Sequence, residues 1–313
     1  MRRSRKPFRA VTSDEGSNPS PSAVLRLRAE PALSLSRARL LRDVLTPRRS
    51  YRYGAEHRCQ RAELWLPRLR PGALAPVIVA IHGGSWQAGF SKLVMRPVAG
   101  DLARRGFAVW NIEYRRVGRG QGGGWPATFA DVAAAIDALE GLAAPLDLEH
   151  VTLLGHSAGA ALALWAGARA TLPVDAPGSR PRVQPVAVVA LAAPADLAGI
   201  YRRTPGGGAV GVLMGGSPDD LPDRYSLADP IARVPIPVPV LLVHGTADAV
   251  VSVANSRRYA QEARAAGGEV ELVEIEGAED GRHRAHVDPD SRPWAVVTGW
   301  LAGAARERVV GTR

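Results

Sequence analysis

The strongest constraint on the fold is a regular alternation of short apolar runs with longer stretches of helical periodicity. Continuous apolar runs of this length are typical of parallel strands that are covered on both faces. The helical stretches between them predict right-handed crossovers, and therefore an α/β domain with a mainly parallel, doubly wound sheet and helices on both faces. Val77–Ile81 is the clearest such run, and the other predicted strands are Phe107–Ile112, Val151–Leu154, Val186–Leu191, Pro239–His244 and Val270–Ile275.

Positive charge is concentrated at the N-terminus. Residues 1–52 hold 13 of the 40 Lys and Arg residues but 4 of the 30 Asp and Glu residues, which leaves a net charge of +1 on residues 53–313. The polar composition of residues 1–23 predicts disorder, and residues 24–47 fit either a short amphipathic helix or a solvated arm. We therefore expect a basic, largely disordered extension over residues 1–50, a folded domain over residues 51–313, and no nucleic-acid partner.

Two further features bear on location. Cys59 is the single cysteine, so an intramolecular disulfide is impossible and an oxidising compartment would not stabilise the fold. The sequence has no run of 18 apolar residues and no signal-peptide pattern. These features predict a cytoplasmic protein that does not associate with membranes.

The sequence Gly155-His156-Ser157-Ala158-Gly159 lies between an apolar run and an Ala-rich helical stretch. A sharp turn from strand to helix presents a serine hydroxyl at the tip of the sheet, and glycines on both sides avoid a Cβ clash with the neighbouring backbone. Ser157 is therefore the candidate nucleophile.

A nucleophilic serine needs a base, and the base needs a carboxylate that orients its ring. Asp248 follows the run that ends at His244, and two histidines, His283 and His286, follow the last apolar run. Either histidine could reach the carboxyl edge of the sheet, where α/β folds build their sites. The other histidines in glycine turns, His82, His156 and His244, are expected to form structural hydrogen bonds. Acids near the late pair are scattered, so we expect neither a metal nor another cofactor.

Acyl transfer creates an oxyanion that backbone N–H groups must stabilise. The residue after the nucleophile, Ala158, is expected to supply one donor. The turn His82-Gly83-Gly84-Ser85-Trp86 is expected to supply two more, from Gly84 and Ser85, because successive glycines let the backbone turn its amides towards the site.

Together, the motifs at 82–86, 155–159 and 244–248 and a late histidine resemble those of the α/β-hydrolase carboxylesterases, and most closely the branch of kynurenine formamidase. The resemblance covers about residues 51–305 and implies the α/β-hydrolase fold. In that branch the histidine precedes an Asp-Pro pair by five residues. The pair Asp288-Pro289 then assigns the base to His283, although the charged insert at 279–282 departs from the pattern.

The resemblance implies a cofactor-free serine hydrolase acting on a small carboxylic ester or an N-formyl amide. Two alternatives remain: a peptidase of the prolyl-oligopeptidase type, and a non-catalytic ligand-binding protein with the hydrolase fold. Residues 199–227 look irregular and too long for an ordinary connection, which predicts a small cap or rim. This rim and the Gly-rich loop at 118–125 are expected to shape the substrate pocket. The sequence does not indicate the oligomeric state.

Overall fold

The computed structural model describes residues 25–27 and 48–310, with side chains described for residues 48–303. The predicted disorder of residues 1–23 and most of the predicted helix or arm lie outside these residues. The described strands form one sheet in the order β1-β9-β8-β7-β6-β4-β5-β3-β2. They are β1 (Leu25–Leu27), β2 (Arg49–Arg52), β3 (Arg61–Trp65), β4 (Ala75–Ile81), β5 (Ala108–Ile112), β6 (Leu146–His156), β7 (Ala187–Leu191), β8 (Val240–Gly245) and β9 (Val270–Ile275).

Eight α-helices are seen in the described residues, and most of them connect parallel strands. They are α1 (Arg96–Arg104), α2 (Ala127–Asp137), α3 (Ala158–Gly167), α4 (Leu197–Arg203), α5 (Gly208–Met214), α6 (Pro222–Ala228), α7 (Ala254–Ala265) and α8 (Arg292–Val310). Strands β4 to β9 pair in parallel, whereas β3 runs antiparallel to β5, and β2 runs antiparallel to β3. The predicted mainly parallel α/β-hydrolase sheet is confirmed.

The central strands are buried on both faces, as their continuous apolar sequences predict. In β4, Val77 and Val79 belong to the core cluster under α2, α3 and α7, while Ile78 and Ala80 belong to the cluster under α1 and α8. Alternate residues of a strand point to opposite faces, so one apolar strand supports two cores. The helices therefore lie on both faces of the sheet.

The first two strands extend the sheet into the predicted N-terminal extension. Leu25–Leu27 pairs in parallel with β9 at one edge, so these three residues are a strand and not part of the predicted helix or arm. Arg49–Arg52 pairs with β3 at the other edge. This strand begins two residues before residue 51, the predicted start of the folded domain. There Tyr51 packs against Trp110 with ring centroids 5.6 Å apart, which gives the edge strand an apolar contact among its exposed arginines.

The segment at 199–227 is helical rather than irregular. It contains most of α4, all of α5 and all but the last residue of α6, and these short helices are separated at glycines with positive φ, such as Gly207 and Gly215. The high glycine content hides the helical periodicity because these glycines end one helix and begin the next. The backbone N–H of Trp125 donates to the carbonyl of Leu213 at 2.8 Å, so the 118–125 loop contacts this segment. Among the described helices, none has the length and apolarity needed to cross a membrane.

Candidate active site

The Ser157 turn joins β6 to α3 in a strained conformation. Ser157 has φ of 54° and ψ of −123°, and its backbone N–H donates to the carbonyl of Leu191 at 2.8 Å. A Cβ on Gly155 would lie 2.2 Å from the carbonyl oxygen of Gly159, and a Cβ on Gly159 would lie 2.1 Å from that of Ile81. Both glycines are therefore required by close backbone packing, as the sequence predicts.

Asp248 and His283 are in direct contact although 35 residues separate them. The Nδ1 of His283 lies 2.7 Å from Oδ2 of Asp248, and the carboxylate is buried while the imidazole is 14% exposed. The other carboxylate oxygen, Oδ1, accepts hydrogen bonds from the backbone N–H groups of Val250 at 2.8 Å and Val251 at 2.9 Å. Because Asp248 occupies Nδ1, the free nitrogen of the imidazole is Nε2.

The electrostatics keep the Asp248 carboxylate ionised. Burial alone would raise its pKa, but the hydrogen bond and charge of His283 and the N–H groups of Val250 and Val251 lower the pKa to about 2. An ionised carboxylate at Nδ1 accepts a hydrogen bond from the Nδ1–H group and fixes the ring tautomer that has Nε2 unprotonated. That tautomer can accept a proton from a hydroxyl group.

His156 connects the serine turn to the loop that carries His283. Its Nε2 donates to the carbonyl oxygen of His283 at 3.0 Å, and the two rings are 4.7 Å apart between centroids. Ser157 is the next residue, so this bond holds the loop of His283 beside the serine. In the part of the chain that the structure describes, no hydrogen bond joins Oγ of Ser157 to the imidazole. Such bonds are often long in substrate-free enzymes and tighten in the complex with substrate.

His286, the alternative base, is fully buried in the turn of 3₁₀-helix His283–Val287. Its Nδ1 lies 3.2 Å from the carbonyl oxygens of both Arg282 and His283. Burial, and then the neighbouring His244, lower its pKa to about 4, so the ring stays neutral near pH 7. This geometry makes His286 a support for the His283 loop, and it favours His283 as the base.

The predicted oxyanion loop is also strained and lies against the serine turn. Gly84, Ser85 and Trp86 have φ of 119°, 51° and 57°. A Cβ on Gly83 would lie 2.9 Å from Cβ of Ser157, so the loop approaches the serine as closely as a glycine allows. Within the described residues, the backbone N–H groups of Gly84, Ser85 and the predicted third donor, Ala158, have no hydrogen-bond partner. Unpaired N–H groups beside a candidate nucleophile can bind a negatively charged oxygen.

Glu113 supports the oxyanion loop, and its role was not predicted from the sequence. Its Oε1 lies 2.8 Å from Nε2 of His82, whose ring stacks on Tyr114 at 4.3 Å between centroids. The hydroxyl of Tyr114 donates to the carbonyl oxygen of His82 at 2.7 Å. The signal was present, because Glu113 directly follows β5 and so lies at the carboxyl edge of the sheet, next to the end of β4.

The remaining predicted structural histidine, His244, supports the Asp248 loop. Its Nδ1 lies 2.7 Å from the hydroxyl of Ser256, and its Nε2 lies 2.8 Å from the carbonyl oxygen of Val251. His82, His156 and His244 are all hydrogen-bonded, which confirms their predicted role. Within the described ranges, His, Cys, Asp and Glu side chains form no group of three or more that could hold a metal ion.

Comparison with known proteins shows what the chain resembles. It is 30% identical to the esterase LipQ of Mycobacterium tuberculosis (strain ATCC 25618 / H37Rv) over 227 residues, which are 69% of this chain and 52% of LipQ. It also matches the esterase LipC of the same organism at 29% identity, over 75% of this chain and 59% of LipC. The chain thus spans little more than half the length of the curated relatives that it matches.

Among solved structures, the fold is similar to a thermophilic esterase, Est2 of Thermogutta terrifontis, at 25% identity and a TM-score of 0.60 over 75% of this chain and 84% of Est2. Esterase B of Lactobacillus rhamnosis, at 20% identity, shares the fold with a TM-score of 0.71 over 87% of this chain and 94% of that one. The sequence model of the BD-FAE family matches residues 63–262, more than half of the chain. The chain therefore belongs to the BD-FAE family, within the α/β-hydrolase carboxylesterases.

Proposed function

We propose that this protein is a serine hydrolase that cleaves a small carboxylic ester through an acyl-enzyme. The observation that carries the proposal is the contact of 2.7 Å between Nδ1 of His283 and Oδ2 of Asp248, on a loop that His156 holds beside Ser157. The strained φ of 54° at Ser157 adds support, because backbone strain of this kind is concentrated at functional sites.

The roles follow from the positions of the groups. Ser157 Oγ attacks the ester carbonyl carbon, and Nε2 of His283 accepts the hydroxyl proton. The N–H groups of Gly84, Ser85 and Ala158 stabilise the oxyanion of the tetrahedral intermediate. His283 then donates its proton to the leaving alcohol, and an acyl-enzyme remains. Water, deprotonated by His283, attacks the acyl carbon and releases the carboxylic acid and Ser157.

Asp248 stabilises the imidazolium that forms when His283 takes the proton. Its pKa of about 2 keeps it negatively charged through the neutral range, so the charge is in place before the reaction begins. The two backbone N–H donors, Val250 and Val251, fix the carboxylate on the side opposite His283. The reaction therefore needs no movement of the acid.

The substrate class rests on the relatives and on the motif resemblance. LipQ and LipC are esterases, and Est2 was solved with propionate bound, which supports a small ester with a short acyl chain. The resemblance to kynurenine formamidase keeps an N-formyl amide as a second substrate of the same site. We also propose a cytoplasmic location, because Cys59 is the single cysteine in the sequence.

A non-catalytic binding protein is the second candidate function. It is favoured by one observation, the missing hydrogen bond between Oγ of Ser157 and His283 in the described part of the site. The buried Asp248 carboxylate argues against a non-catalytic protein. Burying an ionised acid costs desolvation energy, and pairing the acid with a catalytic histidine gives that buried charge a function. No observation among the described residues favours the third alternative, a peptidase of the prolyl-oligopeptidase type.

A hydrolysis panel tests the proposal. 4-Nitrophenyl esters from acetate to octanoate should be turned over by the wild type, with N-formylkynurenine run beside them. Ser157→Ala should reduce turnover of every ester to below about one percent of wild type, since a triad serine supplies most of the chemistry. Arg70→Gln, a change of an exposed residue in the turn before β4, is the matched control and should behave as wild type. Equal turnover by wild type and Ser157→Ala would contradict the proposal.

A further inference from the structure

A cationic cavity lies next to the oxyanion loop and has no role in the proposed reaction. Its volume is about 340 Å³, within the range of small-molecule sites. Ala88 and Gly89 of the loop after the oxyanion turn form part of its wall. Its charged lining residues are Arg58, Arg61, Lys92, Arg116 and Glu113.

The charges in this cavity do not cancel. Glu113 is the one acid in its lining, and burial of Glu113 is outweighed by His82 and Arg116, which lower its pKa and keep it ionised. Its carboxylate is already engaged by Nε2 of His82 at 2.8 Å and lies 3.7 Å from Nε of Arg116. Arg116 is further fixed by the carbonyl oxygen of Phe90 and by Sγ of Cys59. Glu113 and Arg116 thus neutralise each other within the wall.

Three cations remain without a partner acid. In the part of the chain that the structure describes, the side chains of Arg58, Arg61 and Lys92 form no ion pair, and both arginines are exposed. Several other arginines of the domain are paired, such as Arg96 with Glu63 at 2.5 Å. Since residues 53–313 carry a net charge of only +1, three unpaired cations around one cavity form a local positive site on a nearly neutral body.

The cavity lies at a reachable distance from Ser157. Glu113 follows the carboxyl end of β5, and Ser157 follows that of β6, with β4 between them in the sheet. Two strand spacings correspond to about 10 Å, and Arg61, which begins β3 one spacing beyond Glu113, lines the same cavity. An extended chain of about seven carbon–carbon bonds spans a similar length, so one substrate can present an ester to Ser157 and a second group to the cavity.

We propose that this cavity binds the carboxylate of an anionic substrate, so that the enzyme prefers esters with a carboxylate about 10 Å from the scissile carbonyl. The proposal rests on the proposed ester hydrolysis for its catalytic readout. Arg58, Arg61 and Lys92 supply the positive charge, and guanidinium groups bind carboxylates through paired N–H donors. The carboxylate belongs to either the acyl chain or the alcohol, and the experiment separates these two sources.

The test compares anionic substrates with neutral twins of the same size. For the acyl arm, kcat/KM is measured for 4-nitrophenyl hydrogen suberate and for its ω-carboxamide. For the alcohol arm, 4-(2-carboxyethyl)phenyl butyrate is compared with 4-(2-carbamoylethyl)phenyl butyrate. At low ionic strength we expect the anionic twin to be preferred about a hundredfold in one arm, and the preference to fall as salt is added. The arm that shows it identifies the source.

Substitutions in the cavity lining test whether the cavity causes the preference for anionic substrates. Arg58→Gln, Arg61→Gln and Lys92→Gln should each reduce the anionic preference about fivefold, while kcat/KM for the neutral twin stays constant. Arg70→Gln removes the same charge from an exposed position outside the cavity lining and should leave the preference unchanged. A ratio of anionic to neutral kcat/KM near one in both arms would overturn the proposal while the hydrolysis of the neutral esters still supported the proposed function.

A binding measurement separates the two proposals if no ester is hydrolysed. Titration calorimetry with Ser157→Ala and free suberate should give binding that Arg61→Gln, made in the same background, weakens about fivefold. Suberamide is the neutral control and should bind more weakly. Suberate binding without ester hydrolysis would overturn the proposed function alone, and equal binding of suberate and suberamide would overturn the cationic site.

Discussion

His286 is buried as a neutral ring, so the folded domain should lose stability as the pH falls below about 6.5. Burial and the neighbouring His244 lower the pKa of His286 from 6.5 to about 4. The unfolded chain, where the ring titrates normally, therefore binds more protons than the folded chain between these values. Because the folded pKa is the lower one, the stabilisation is complete above pH 6.5 and is lost as the pH falls towards 4.

The size of this effect follows from the two pKa values. At pH 5 the unfolded imidazole is almost fully protonated and the folded one almost neutral, so His286 contributes a loss of about 2 kcal/mol relative to pH 7. In His286→Asn the amide nitrogen can replace Nδ1 as donor to the carbonyls of Arg282 and His283, but nothing titrates. The buried His156 ring contributes its own acid loss to both proteins, and that loss cancels in the comparison.

The assay is the free energy of unfolding in urea at pH 7 and pH 5, at constant ionic strength, for wild type and His286→Asn. Wild type should lose about 2 kcal/mol more than the variant over this interval. Between pH 7.5 and 8.5 the ring is neutral in both states, so the two proteins should then change in parallel, which serves as the internal control. Equal losses between pH 7 and 5 would refute a buried, neutral His286.

Three further predictions concern the site. Asp248→Asn should lower kcat for 4-nitrophenyl butyrate by about 10⁴ by favouring the wrong imidazole tautomer, and a loss below tenfold would point to another acid. His283→Ala should fall to the level of Ser157→Ala whereas His286→Asn keeps most of its kcat, and the opposite ranking in the same assay would make His286 the base. Gly159→Ala should yield little soluble protein, because its Cβ would lie 2.1 Å from a backbone carbonyl oxygen of β4; soluble expression and a melting temperature equal to wild type would contradict this packing.

The sequence predicts the central sheet because its strands obey a simple physical rule. The central strands are buried on both faces, so most of them are rich in apolar residues, and the predicted bounds agree with the structure within a few residues at most ends. Strand β6 is the main exception. It begins at Leu146, five residues before the predicted start. Its first residues, which include Asp147, are partly exposed and therefore lack the apolar pattern.

The edges and the rim were harder to predict because they lack that pattern. Strand β2 contacts the core through Tyr51, and Arg49, Ser50 and Arg52 are exposed, so its sequence resembles a solvated segment. In the rim, glycines that end one short helix and begin the next obscure the helical periodicity. These elements depend on contacts with the rest of the domain rather than on their own composition.

In the candidate site, too, some features could be predicted from the sequence and others could not. The glycine motifs around Ser157 and Gly84 could be recognised in the sequence because close packing and positive φ leave few alternatives to glycine. The choice between His283 and His286 depended on which ring faces Asp248, and sequence spacing alone does not determine a side-chain direction. The contact of Glu113 with His82 joins residues 31 positions apart, and the position of Glu113 directly after β5 indicates the carboxyl edge of the sheet but not its partner.

The central claim is that Ser157 is a nucleophile activated by His283, and covalent labelling tests it most directly. A fluorophosphonate probe should react with the wild-type protein, and mass spectrometry of the digested protein should place a single adduct on Ser157. His283→Ala should slow labelling by several orders of magnitude, since a serine hydroxyl is a weak nucleophile without its base. Absence of labelling of the folded wild type, or labelling of Ser157 at equal rates in wild type and His283→Ala, would contradict the account.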